Sequence, residues 1–168
     1  MTVRRVSWVV AAWVAVLAVP LWAQEDEIGI SRGATPPAVT IEDLDGQAVD
    51  LGQWVGKKPV VIEFWATWCP LCAELFPRLE AVQRRYRDSL QVLVVAVGVS
   101  QSPSSIKRHL ARHPMGFPVL WDGNGAAVRA FQAPGTSYVV MLDARGKVVY
   151  TGYGADQDLE QAVRRLGG

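Results

Sequence analysis

The sequence predicts an α/β domain in which a central mixed sheet carries helices on both faces and starts from an N-terminal β-hairpin. Residues 60–66 and 91–99 are near-continuous apolar runs, the pattern of strands covered on both faces. Segments of helical spacing alternate with such runs, and the C-terminal part reads as two strands about a tight turn followed by a helix. Half of the 168 residues are apolar and 20% are charged, a globular composition, so a packed core needs no covalent staple.

In chain order, Ala38-Val39-Thr40-Ile41 and Ala48-Val49-Asp50-Leu51 are β-type runs either side of Asp45-Gly46, a hairpin-turn pair. Val60 to Ala66 is apolar except for Glu63. Pro70 to Arg87 repeats Leu71, Leu75, Leu79, Val82 and Tyr86 at threes and fours, which predicts a helix. Gln91 to Val99 is a second buried strand and Ser104 to Arg112 a polar helix. Gly123 to Phe131 is a short helix after Phe117-Pro118-Val119-Leu120. Ser137 to Asp143 and Lys147 to Tyr153 are strands joined at Ala144-Arg145-Gly146, and Asp156 to Leu166 closes the chain as a helix. No internal repeat or low-complexity segment is present.

The N-terminus reads as an address. Arg4 and Arg5 precede an apolar run from Val6 to Ala23 that turns acidic at Glu25, the pattern of a secretory signal. Residues 1–23 are thus a signal peptide or an N-terminal anchor, 24–37 a flexible lead-in with Gly29, Gly33 and Pro36-Pro37, and 38–168 the domain. Without Arg4 and Arg5 the chain has 15 basic residues against 16 acidic ones, which excludes the basic footprint of a nucleic-acid binder. Export also brings a cysteine pair into an oxidising compartment, where a disulfide persists.

The chain's two cysteines stand in Phe64-Trp65-Ala66-Thr67-Trp68-Cys69-Pro70-Leu71-Cys72. Cys69 falls where strand becomes helix, and Pro70 suits the first helical position because the N–H it lacks would have had no partner there. Cys72 lies one turn on, on the same face, so the sulfurs can bridge. The positive end of the helix dipole favours thiolate at Cys69 and makes it the candidate nucleophile. A bridge closing so short a loop removes little unfolded-state entropy, so a structural staple is a weak alternative. A zinc site needs about four ligands, and beyond this pair only His109 and His113, four apart on a helix, offer nitrogen. The metal reading is accordingly none. The chain does not resemble thiol peroxidases, which place Thr three residues before the reactive Cys and a Pro upstream, since Thr67 stands two before Cys69 and no such Pro is present.

These residues resemble the active site of the thioredoxin superfamily. The run LDGQAVDLGQWVGKKPVVIEFWATWC, with Ala73-Glu74-Leu75-Phe76-Pro77 and Leu142-Asp143-Ala144-Arg145-Gly146, is similar to its TlpA/ResA-like extracytoplasmic thiol-disulfide oxidoreductases. The resemblance spans residues 36 to 168 and implies a thioredoxin-like fold. It also implies a redox-active disulfide Cys69-Cys72, with no other cofactor, as the working group of an enzyme in cytochrome c maturation or copper-centre assembly. Client proteins bearing disulfides and a membrane electron donor are the implied partners, in the periplasm or at the extracytoplasmic face. A copper-handling binding protein using the same cysteines is the alternative.

The resemblance also assigns further positions. Glu63, six residues before Cys69, matches a buried carboxylate that relays the proton of the second cysteine; on an edge strand it would instead reach water. Trp68, Pro70 and Leu71 form a substrate groove with Thr136 and Ser137 from the loop opposite the cysteines. Relatives carry a cis-proline in that loop, and counting back from Asp143 the matching residue is Ser137. A cis bond before a non-proline costs ~3 kcal/mol, so the Thr136-Ser137 bond is expected trans or strained. With a neutral Pro70-Leu71 between the cysteines, the pair is expected to be reducing rather than strongly oxidising.

Overall fold

A computed structural model describes residues 28–167; the signal or anchor segment 1–23 and the first residues of the lead-in lie outside them. The strands are β1 (Thr40–Asp43), β2 (Ala48–Asp50), β3 (Val60–Trp65), β4 (Gln91–Val97), β5 (Val119–Asp122), β6 (Tyr138–Leu142) and β7 (Val148–Tyr153). The helices are α1 (Pro70–Tyr86), α2 (Pro103–Leu110), α3 (Ala126–Ala130) and α4 (Leu159–Arg164). All seven strands form one sheet in the order β2-β1-β5-β4-β3-β6-β7. This is the central mixed sheet, entered from an N-terminal hairpin, that the sequence predicts.

Strand β3 owes its near-unbroken apolar sequence to its position. It runs parallel to β4 and antiparallel to β6, and every residue from Val60 to Trp65 is buried. Alternation sends Phe64 to one face, where its ring lies 5.8 Å from Phe131 at the end of α3 and 5.7 Å from Tyr138. Glu63 and Trp65 point to the other face, where Trp65 lies 5.5 Å from the His109 ring on α2. Helices α1 and α4 pack together, joined by an Arg85–Glu160 ion pair. The two cysteines lie beyond the C-terminal end of β3, where α1 begins.

Two features differ from the sequence pattern. Residues 119–122 form a strand that their spacing does not mark; four residues long, it is placed by pairing parallel to β4 and antiparallel to β1 rather than by its own apolar alternation. The described part of the lead-in is also pinned rather than loose. Ile30 is buried, and its N–H points at both the Phe131 carbonyl and the Tyr138 hydroxyl, 3.2 Å from each. Gly33 donates to the Val148 carbonyl at 2.7 Å, and Val148 donates back to Ala34 at 2.9 Å. Gly29 permits this approach: it has φ +78°, and a Cβ there would come within 2.3 Å of the Tyr138 hydroxyl. The apolar Ile30 gives this polar stretch something to bury, which Gly and Pro content alone concealed.

Candidate active site

Cys69 is the N-cap of α1. Its backbone is still extended, with φ −91° and ψ 106°, and Pro70 begins the helix. The two sulfurs are joined as a disulfide, with the Cα atoms 5.3 Å apart. The Cys72 N–H donates to Cys69 Sγ at 3.1 Å, so the first turn of the helix directs an otherwise unpaired donor at that sulfur. Cys69 retains 6% of its surface and Cys72 none. An incoming group therefore reaches Cys69 and not Cys72.

The loop before Cys69 is held from the side by the segment after β4. Gln101 bridges the two: its Oε1 accepts from the Thr67 N–H at 3.0 Å and its Nε2 donates to the Val97 carbonyl at 2.7 Å. Trp68 donates through Nε1 to the Val99 carbonyl at 2.9 Å while half its surface stays exposed. Pro70 and Leu71 are exposed beside it, so Trp68, Pro70 and Leu71 surround the disulfide with apolar surface. Nothing in the sequence marked Gln101, since a single glutamine in a loop carries no spacing signal.

Glu63 lies on the central strand, level with Val94 on one neighbour and Val139 on the other, so the edge-strand alternative is excluded. It is fully buried, and neither carboxyl oxygen has a hydrogen-bond partner among the described residues. Burial pushes its pKa from 4.5 up to about 8. Its side chain shares a sheet face with Trp65, which lines one cavity together with Cys72. The carboxyl is thus on the cysteine side of the sheet.

The loop opposite takes a course of its own. No peptide bond among the described residues is cis, and Ser137 has φ +62°, a left-handed conformation rare for a residue with a side chain. Its N–H donates to the Phe64 carbonyl at 2.8 Å, a bond that proline cannot make. Its hydroxyl is buried without a partner. Gln157 fastens the loop from behind: Nε2 donates to the Ser137 carbonyl at 3.0 Å and to the Gly154 carbonyl at 2.7 Å, and Oε1 accepts from the Tyr150 hydroxyl at 3.1 Å. Thr136 is half-buried next to it.

His109 and His113 lie beside the cysteines, a placement that no spacing in the sequence marks. With Arg112 they line a cavity of about 570 Å³ whose wall also includes Cys69, Cys72, Trp65 and Phe76. Their ring centroids are 4.8 Å apart, and burial, together with the charges of His113 and Arg112, lowers the His109 pKa. Among the described residues no group of three or more His, Cys, Asp or Glu side chains is placed to share a metal ion.

Residues 31–166 match the Redoxin family. The chain is 31% identical over 142 residues to the thioredoxin-like protein YneN of Bacillus subtilis, covering 82% of this chain and 81% of that one. It is 31% identical over 120 residues to the thiol-disulfide oxidoreductase ResA of the same organism, covering 71% of this chain and 66% of that one. Among solved structures, a Chlorobium tepidum protein assigned as the thiol:disulfide interchange protein DsbE superposes with a TM-score of 0.73 at 28% identity, over 83% of this chain and 99% of that one.

Proposed function

The chain belongs to the redoxin family, and from that premise we propose the work of this thiol-disulfide oxidoreductase: it reduces disulfides in partner proteins outside the cytoplasm. The observation that carries the proposal is the asymmetry of the pair, with Cys69 capping a helix at the surface and Cys72 fully buried on the Glu63 side of the sheet.

In the reduced chain the helix terminus stabilises the Cys69 thiolate, which attacks one sulfur of a client disulfide. A Cys69–client bond forms, the client's own disulfide breaks, and one client sulfur leaves as thiolate and takes a proton. Glu63 accepts the proton of Cys72 through its ionised form, which burial makes the minor form at neutral pH and which comes to dominate above about 8. Cys72 then attacks Cys69 Sγ, closing the Cys69–Cys72 disulfide and releasing the second client thiolate. Two electrons have passed to the client. The disulfide itself is the only redox group this cycle uses.

The apolar surroundings of Trp68, Pro70 and Leu71, with the Thr136–Ser137 loop across from them, form the surface on which client backbone rests. Residues 1–23 deliver the domain across the cytoplasmic membrane or hold it there, and a membrane electron donor returns two electrons to the disulfide. Clients whose cysteines must be free before they take up haem or copper fit such a reductant. The test is to measure disulfide reductase turnover and Cu(I) affinity on the same reduced sample of the full chain. Turnover without tight copper binding supports the proposal, and tight copper binding without turnover overturns it.

A further inference from the structure

The cavity beside the disulfide has a chemistry that the exchange reaction alone does not require. Its wall is apolar at Trp65, Phe76 and Met115, and its exposed part carries Arg112 and His113, with His109 half-buried beside them. No carboxylate lines it. Arg112, two residues past the end of α2, is exposed and has no ion pair among the described residues, whereas Lys107 within α2 pairs with Asp45. A site-facing cation left unpaired beside an apolar wall is complementary to an anion on an otherwise apolar segment.

We infer that this groove selects clients: it takes a disulfide-bearing segment of a partner protein that carries an Asp or Glu close to the cysteine to be attacked. The inference rests on the exchange activity proposed above and adds the chemical class of its substrate. Because Cys69 is itself part of the cavity wall, the client's cysteine and the side chain that meets Arg112 must come from neighbouring positions. A cavity of about 570 Å³ is roughly 10 Å across and an extended segment advances ~3.3 Å per residue, which puts the acid within about three residues of the cysteine. There a carboxylate meets the Arg112 guanidinium in a partly dry setting, while a lysine at that position meets like charge.

The experiment uses the reduced full chain and three synthetic peptides with one internal disulfide, identical except for Asp, Gln or Lys two residues from the outer cysteine. At low ionic strength kcat/KM is expected to fall in the order Asp, Gln, Lys, with about tenfold between the ends, and the spread is expected to shrink at high salt. Arg112→Glu is expected to invert the order, and Arg112→Gln to flatten it. Reversing a cation outside the groove, with Lys107→Glu, is expected to leave the order intact. Equal rates for the three peptides with the unmodified chain overturn the inference. So does an order that survives Arg112→Glu, or one inverted equally by Lys107→Glu. Failure to reduce any of the peptides overturns the exchange activity itself, an outcome distinct from equal rates.

Discussion

Cys69 and Cys72 share a disulfide but have unequal surroundings, and the inequality sets what each substitution should do. With the sulfur of Cys69 accepting the Cys72 N–H and no cation between the two residues, the pair is expected to have a potential nearer the ~−270 mV of a reducing dithiol than the ~−120 mV of a strong oxidant. Equilibration with a glutathione or dithiol buffer measures it. Glu63 makes a second expectation, worked from its direction of shift. The folded chain holds the carboxyl protonated from 4.5 up to about 8, whereas the unfolded chain releases that proton near 4.5. Its contribution to stability is therefore complete below 4.5, declines as pH rises through that window, and is lost above about 8. Denaturant titrations of the oxidised chain should show this fall, on the order of several kcal/mol, and Glu63→Gln should flatten it. Ser137 yields a third. At φ +62°, Ser137→Gly should raise stability by about 1 kcal/mol by relieving a left-handed residue. Ser137→Pro should cost about 3 kcal/mol or more, since proline can neither take that φ nor donate to Phe64.

Among the elements, the legible ones were those whose own burial produced their pattern. Strands β3 and β4 are buried almost throughout, so their sequences could not hide, and α1 keeps Cys72, Leu75, Leu79 and Val82 on its inward face at helical spacing. Strand β5 was not legible, because its four residues are fixed by β4 and β1 on either side. The two glutamines that hold the site were equally silent, since each ties backbone near its own position to backbone far away in sequence, Thr67 for Gln101 and Ser137 for Gln157. Gln101→Leu should leave the Thr67 N–H and the Val97 carbonyl unpaired, lowering stability by about 1–2 kcal/mol and slowing exchange at Cys69. Gln157→Leu removes two donors' worth of bonding from the Ser137 and Gly154 carbonyls and leaves the Tyr150 hydroxyl without its acceptor. It should cost about 2 kcal/mol in thermal or denaturant unfolding.

For the whole molecule, the cysteine motif announced its position in the fold, while the residues gathered around it came from places no spacing rule connects. Glu63 was readable because it interrupts an apolar strand; Arg112 and the two histidines reach the same cavity only because α2 lies on the Trp65 face of the sheet. The hold on the lead-in was not legible for a related reason, since Ile30 is held by Phe131 and Tyr138, residues about a hundred positions away. A chain beginning at Ala38 should therefore be less stable than one beginning at Ile28 by at least about 2 kcal/mol, the worth of one buried isoleucine. The function proposed above comes down to one chemical event, attack by Cys69 on a client disulfide followed by release through Cys72. The direct measurement is the intact mass of the reduced Cys72→Ala chain after incubation with a disulfide peptide. A single peptide adduct is expected to accumulate, mapping to Cys69 and forming faster on the folded chain than on the denatured one; no adduct, or one that forms no faster than in denaturant, contradicts the account.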